Sequence, residues 1–278
     1  MASAPIPAGA LQPGPPLPAR PVRSAERWIK LLAAAVLLAL LVFAWLDVGG
    51  SLSNLINGLF GSKGIFRSIV GPSLPPNTGA IGEGLRASVT TFCVAVLSIA
   101  FGVIASVLML PLAARNLAPS RSAYELVRGI QAVLRAIPEL IMMLLFLITV
   151  GINPFSAVLA LTLHGIGVKG KLFAEAVEEM DMTPVEALRV AGAGRLQVFL
   201  HAVLPGVQNT LISLTLYRLD ANFRSAVTLG AVGGGGIGFL IDNQLNDFQF
   251  KVVATYLVIM VVWVLAIERI STLLRARL

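Results

Sequence analysis

The chain has 278 residues, of which 56% are hydrophobic and only 13% charged. That is too little polar surface to coat a water-soluble globule of this size, so the bilayer is its natural solvent. The formal charge of +7 does not mark a nucleic-acid binder, because the bases are scattered singly between apolar runs, and one cysteine with two histidines excludes an internal disulfide and leaves little for a metal site.

Residues 1–27 hold Pro5, Pro7, Pro13, Pro15, Pro16, Pro18 and Pro21 among small and basic residues, a composition that predicts a disordered tail. Residues 29–46 form an apolar run flanked by Arg20, Arg23, Arg27 and Lys30. The polar stretch before this run is too long for a signal peptide, so it reads as a first spanning helix. Residues 47–84 are rich in Gly, Ser, Pro and Asn, with Lys63 and Arg67, and predict an external connection carrying a short interfacial helix. Together residues 28–84 make a first membrane segment, and residues 85–278 the main transmembrane domain.

A second span is expected over 85–110, stopped at Pro111, with a cytoplasmic link carrying Arg115 and Arg121. The third covers 124–150 with a kink at Pro138, after which Gly151, Asn153 and Pro154 turn the chain. The fourth, 155–168, is short, and 169–201 is charged and amphipathic. A fifth span over 205–231, a glycine-rich outer turn at 233–238 and a sixth span over 252–270 complete the pattern. Six crossings put both termini on one side. The bases collect with those termini, including Arg115, Arg121, Lys169, Lys171, Arg189, Arg195, Arg275 and Arg277, against Lys63, Arg67 and Lys251 opposite, which predicts cytoplasmic ends.

Residues 183–205 are the most informative. Thr183 is a candidate N-cap, Pro184 suits the first helical position, and Glu186 would complete a capping box. Gly192 and Gly194 break that helix, Leu196, Phe199 and Leu200 offer a second apolar face, and Pro205 opens the next span, predicting a helix–turn–helix beneath the membrane. Glu186 and Ala187, then Gly192, then Leu204 and Pro205, resemble at the right intervals the EAA loop of permeases from binding-protein-dependent ABC importers. Leu188 and Ala202 depart from the usual identities but stay apolar. The resemblance implies an all-α membrane protein of the type I ABC importer permease fold, with six transmembrane helices and a cytoplasmic coupling helix seated in a groove of an ATPase. The competing reading is an amphipathic helix on lipid headgroups.

A narrower resemblance, to phosphonate permeases, runs from Leu85 onward. Arg135 to Glu139, Gly151 to Phe155, His164 with Gly165, Leu172 to Glu179, Tyr217 with Arg218, Asn222 to Ser225 and Gly233 to Gly238 carry it. It implies import of a phosphonate- or phosphate-type oxyanion through a prokaryotic cell membrane. The implied partners are a second permease subunit, identical or a close paralogue, two cytoplasmic ATPase subunits and an extracytoplasmic binding protein. ATP and Mg would be bound by the ATPase, with no cofactor and no catalytic residue on this chain.

Charges inside apolar spans are costly, at least ~2.5 kcal/mol each when they face lipid. Arg218, Asp220 and Arg224 lie in the fifth span, Arg135 and Glu139 in the third. Asp220 with Arg224, and Arg135 with Glu139, share helix faces and can neutralise each other, leaving Arg218 as a fixed positive charge suited to anion passage. The same charges, with Tyr217 and His164, read equally as buried pairs and packing residues. Gly165 to Lys171 imitates a P-loop but has Leu172 where the magnesium ligand belongs, and Gly233, Gly235 and Gly238 fit the dinucleotide fingerprint without a surrounding βαβ unit. Two alternative functions stay open: a permease for another small solute, and a secondary transporter using Glu139 and Asp220. For an intramembrane enzyme the spans offer no nucleophile–base pair.

Overall fold

The structure is a computed structural model that describes residues 24–49, 51–61 and 69–277, the side chains of 24–27 excepted. Expectations for residues 1–23, Lys63 and Arg67 lie outside the described residues. The described residues are almost wholly helical and contain no strand. They fall into two units, residues 1–64 and 65–278.

The first unit holds α1 (Ser24–Asp47) and α2 (Leu52–Phe60). At 1.5 Å per residue the 24 residues of α1 reach about 36 Å, enough to cross a bilayer. Its described side chains are all exposed within the unit, the expected state of a lone apolar helix whose partner is lipid. The short helix α2 is capped by the Ser51 hydroxyl, which accepts from the Asn54 N–H at 3.3 Å.

The second unit is a bundle. After a one-turn helix, α3 (Gly71–Ser73), come α4 (Ile81–Ala113), α5 (Arg121–Ala136), α6 (Glu139–Val150) and α7 (Pro154–Glu178). A short α8 (Thr183–Val190) and α9 (Arg195–Val198) precede α10 (Leu204–Leu229), α11 (Gly236–Asn246) and α12 (Phe250–Arg275). Helix α7 is the centre of the bundle and packs on α4, α5, α6 and α10. Its buried face is built from Ala157, Ala160, Gly165, Gly167, Gly170 and Ala174, and small residues let helix backbones approach closely where water provides no driving force. A Cβ on Gly167 would sit 2.6 Å from the Arg135 nitrogen and 2.7 Å from the Gln131 carbonyl oxygen, so α5 rests directly on this glycine. The start of α7 is well specified: the Asn153 side chain accepts from the Phe155 and Ser156 N–H groups at 2.8 and 3.2 Å, and Pro154 takes the first turn.

One end of the bundle is closed by a cluster of Leu110, Ala113, Val127, Phe173, Val177, Val185, Val198 and Val203, here the elbow end. At the opposite, glycine end, Ala80, Ile237, Tyr256 and Ile259 pack together. There the Tyr256 hydroxyl donates to Glu83 at 2.9 Å, and the Thr91 hydroxyl accepts from the Ile237 N–H at 3.0 Å.

Among the described residues five helices are long and apolar enough to cross a membrane, and α5 and α6 taken together as one broken span make six. The sequence predicted a kinked span over 124–150; the structure instead breaks it by 87° between Ala136 and Glu139. Pro138 has no N–H to continue the ladder, and the residue before a proline is pushed out of the helical region: Ile137 has φ −80° and ψ 120°. The pair still traverses the bundle, since Val127 of α5 lies in the elbow-end cluster and Leu147 of α6 packs beside Gly233 at the glycine end.

Other boundaries also shift. Helix α4 runs through Pro111 to Ala113, because Leu110, Ala113 and Ala114 are fully buried and hold its last turn in place. The fourth crossing does not stop at 168 but continues to Glu178, which places Lys169 inside the bundle and not in a polar connection. Helix α11 begins inside the stretch expected as an outer turn, 233–238, and fills the interval before the sixth span; it packs on α4 and α12.

Candidate functional site

Two regions carry the candidate functional residues. The first is the elbow formed by α8, α9 and the start of α10. The expected capping box does not form: Thr183 lies within the first turn, and the Asp181 carboxylate accepts from its N–H at 3.0 Å and its hydroxyl at 2.7 Å. These two bonds hold the Asp181 carboxyl below its ordinary range. With its hydroxyl committed as a donor to Asp181, Thr183 is not the side chain that caps the helix.

Helix α8 ends in a Schellman turn. The Ala193 N–H donates to the Leu188 carbonyl at 3.0 Å and the Gly192 N–H to the Arg189 carbonyl at 3.0 Å, with Gly192 at φ +84°. A Cβ on Gly192 would meet nothing within 4 Å, so the glycine is required by backbone conformation and not by crowding within this chain. The Gln197 side chain then accepts from the Gly194 N–H at 2.8 Å and starts the second arm. That arm runs from α9 through a π-helical stretch, Phe199–Val203, straight into α10. Leu204 is half-buried against the elbow-end cluster and Pro205 is exposed in the first turn of α10.

The elbow is therefore two-faced. Val185, Val198 and Val203 on its inner side are buried, whereas Glu186, Ala187, Arg189 and Gly192 are exposed, and Val190 is 90% exposed. It is also tied to the α4–α5 link. The Arg115 N–H donates to Glu178 at 2.8 Å, and the Asn116 amide donates to the Val177 carbonyl at 2.8 Å and to the Met182 sulfur at 3.2 Å. The exposed face is thus joined to α4, α7 and α10 through a packed core.

The second region is a polar layer near the middle of α4, α7 and α10. The Asn222 amide donates to the Ser98 hydroxyl at 3.0 Å, and the Thr162 hydroxyl reaches the Ser98 carbonyl at 3.5 Å. Helices α4 and α7 both end, and α10 begins, in the elbow-end cluster, so α4 is parallel to α7 and antiparallel to α10. One turn from Ser98 and Asn222 toward the elbow, Gly102 and Arg218 therefore share a level. Lys169 comes to that level from below, because helical side chains lean toward the N-terminus. Its ammonium rests on Gly165, where a Cβ would be 2.6 Å from Nζ, and on Gly102, where a Cβ would be closer still.

Lys169 is 1% exposed, and among the described residues no hydrogen-bond partner meets its Nζ. Arg218 stands at the same level on α10, and its Nε is itself buried without a partner. Ser106 Oγ and the Gln131 amide are further buried polar atoms without partners.

Among the predicted charges, Asp220 and Arg224 do form an ion pair. Arg135 and Glu139 do not: the break at Pro138 puts them on different helices, and Arg135 is exposed. Tyr217 is 59% exposed on the outside of α10, away from the buried layer. His164 Nδ1 lies 3.2 Å from the Ile137 carbonyl at the break and, facing an acceptor, carries the proton there. The P-loop imitation is the interior of α7, and Lys171 pairs with Glu175 at 3.5 Å. In the glycine run, Gly233, Gly235 and Gly236 all have positive φ, and a Cβ on Gly238 would collide with the Val227 carbonyl; turn and close approach are both built there.

Sequence reasoning missed Lys169. The signal was present: Gly165, Lys169, Phe173 and Val177 recur at intervals of four and are all buried, so the lysine lies on the apolar stripe.

A polytopic helical bundle with an outward elbow and a polar layer at mid-depth defines a membrane transport component. Residues 108–278 match the family model described as binding-protein-dependent transport system inner membrane component, and the chain belongs to that family. It is 36% identical over 249 residues to the phosphite transport system permease protein PtxC of Stutzerimonas stutzeri, covering 89% of each chain. It is 38% identical over 225 residues to the phosphate-import permease protein PhnE of Mycolicibacterium smegmatis, covering 81% of this chain and 42% of that longer one. Among solved structures the inward-facing MetNI methionine ABC transporter superposes with a TM-score of 0.62 at 23% identity, covering 69% of this chain and 94% of that chain, which supports the fold.

Proposed function

We propose that this chain is the transmembrane permease subunit of an ATP-driven importer for phosphonate-, phosphite- or phosphate-type oxyanions. The elbow carries the proposal: Glu186, Ala187, Val190 and Gly192 face outward from an otherwise rigid, core-anchored turn, as a docking surface for a separate motor protein requires. Leu204 and Pro205 pass the motion into α10. Relatives named for phosphite and phosphate transport supply the substrate class.

In this reading two copies, or this chain with a close paralogue, enclose the path. Each docks on a cytoplasmic ATPase that binds ATP and Mg, and an extracytoplasmic binding protein delivers the anion. Both termini and the elbow are cytoplasmic, in keeping with the arginines and lysines around them. Arg218 borders the path, while Asp220 and Arg224 neutralise each other; Arg135, Glu139 and Tyr217 lie on or near the outer surface of the chain, where a second subunit would meet them.

Reconstitution with the ATPase and binding protein tests this. Uptake of phosphite, methylphosphonate or phosphate that requires ATP is the expected result. Uptake that survives loss of the ATPase but collapses with the proton gradient would instead assign a secondary transporter working through Glu139 and Asp220.

A further inference from the structure

Lys169 is not accounted for by the elbow or by any ion pair among the described residues. A charged side chain inside a membrane bundle normally finds a carboxylate, a carbonyl or water. Here Asp220 of α10 holds Arg224 through one carboxylate oxygen while its other, Oδ1, is buried without a partner, and neither reaches Lys169; Glu175 and Glu178 are engaged with Lys171 and Arg128 toward the elbow end. What surrounds the ammonium is small and specific: Gly102 on α4 and Gly165 on α7, both of which would obstruct Nζ if they carried a Cβ. A second cation, Arg218, stands at the same level on α10, with Ser98, Thr162 and Asn222 one turn away. Two like charges at one level of a low-dielectric interior repel, and among the described residues no carboxylate forms an ion pair with either of them.

We infer that this layer is an oxyanion-binding station within the membrane, with Lys169 as its inner ligand, Arg218 as its outer one, and Gly102 and Gly165 as the cradle that houses the ammonium. The inference rests on the proposed function and deepens it by naming the residues that hold the anion in transit. The chemistry favours a doubly charged tetrahedral oxyanion: an ammonium offers three donors without directional preference and a guanidinium a planar fork, which together can meet several oxygens of one phosphonate or phosphate group. Arg218, half-buried, offers first contact, and Lys169 becomes accessible as α4 and α10 move apart when the elbow is driven. The depth, midway along three helices, is where a station must lie if access alternates between the two membrane faces.

The test uses the full complex with its ATPase and binding protein, in vesicles of zwitterionic lipid so that anionic headgroups do not compete for the site. Uptake of inorganic phosphate, phosphite and methylphosphonate is measured for wild type, Lys169→Met and Gly102→Ala. Methionine matches the length of the lysine stem without its charge, and should assemble normally because it removes a buried, unpaired cation. The inference predicts at least a tenfold loss of uptake in Lys169→Met with binding-protein-stimulated ATP hydrolysis retained. Gly102→Ala, which displaces the ammonium and keeps its charge, should raise the KM for uptake with a smaller change in maximal rate. Purified wild-type complex should also gain thermal stability from millimolar phosphate over equimolar chloride, and Lys169→Met should not.

Uptake by Lys169→Met within twofold of wild type overturns the inference while leaving the functional reading intact. A parallel loss of assembly, hydrolysis and uptake also overturns it, since it would make Lys169 a structural strut. If the wild-type complex moves none of the three anions, the functional reading itself fails, and the station with it.

Discussion

The elbow and the mid-bundle layer are opposites in polar accounting. In the elbow the turn-forming groups are satisfied locally: Asp181 holds Thr183, Gln197 holds Gly194, and the Schellman bonds close α8. In the layer Lys169 Nζ and Arg218 Nε are buried without partners. A satisfied turn is rigid and suits a part that transmits force. An unsatisfied layer is a place where something else is meant to bind, or where the packing changes during the cycle.

That contrast can be broken most severely from inside the elbow. Val185→Asp places an unpaired carboxylate in a fully buried position at the elbow-end cluster, and should destabilise the protein by about 4 kcal/mol or more, seen as loss of monodisperse complex in detergent. A retained melting transition would mean that the elbow is not anchored as described. The layer should respond with the opposite sign. Because Lys169 has no acceptor to lose, Lys169→Met should raise stability without anion by about 1–4 kcal/mol, read as a higher melting temperature, and a fall would reveal a partner for the ammonium.

Gly192→Ala tests the turn without touching any neighbour, since the site is open and only the positive φ opposes a side chain. A cost of about 1–2 kcal/mol is expected in thermal unfolding, with docking surfaces otherwise unchanged. Asp181→Asn should have the smallest effect. The Asp181 carboxyl titrates below its ordinary value of 3.8 when folded, so its stabilisation is present above that value and lost as pH falls through the folded one. Wild type should therefore be the more stable at neutral pH, and the two should converge in strong acid; a difference independent of pH would remove the charge from the explanation.

How much of this was legible in the sequence follows from the same contrast. The elbow is contiguous, and its glycine, its apolar second arm and Pro205 announce themselves within a span of about two dozen residues. Only the cap was misplaced, because Asp181 and Thr183 compete as acceptors and the sequence does not rank them. The crossings were legible as apolar runs, but their ends were not. Rising charge after 168 looked like the end of a helix, whereas Lys171 and Glu175 merely pair one turn apart on the surface of a continuing one. The third crossing was read as kinked because a proline states that a break exists and not how large it is. The layer was illegible as a unit: Ser98, Lys169 and Arg218 are far apart in the chain and meet only through the packing of α4, α7 and α10. The helical spacing of Gly165, Lys169, Phe173 and Val177 was the one local hint.

Coupling of a motor to this bundle through the outward elbow can be read by counting oxyanions imported per ATP hydrolysed in the reconstituted complex for wild type and Glu186→Arg. Glu186 is exposed and faces away from the core, so the variant should insert, fold and leave the layer untouched. Reversing this charge should lower ATPase co-purification and cut the oxyanions imported per ATP hydrolysed at least tenfold. A count per ATP and an ATPase association equal to wild type would show that the elbow does not couple the two.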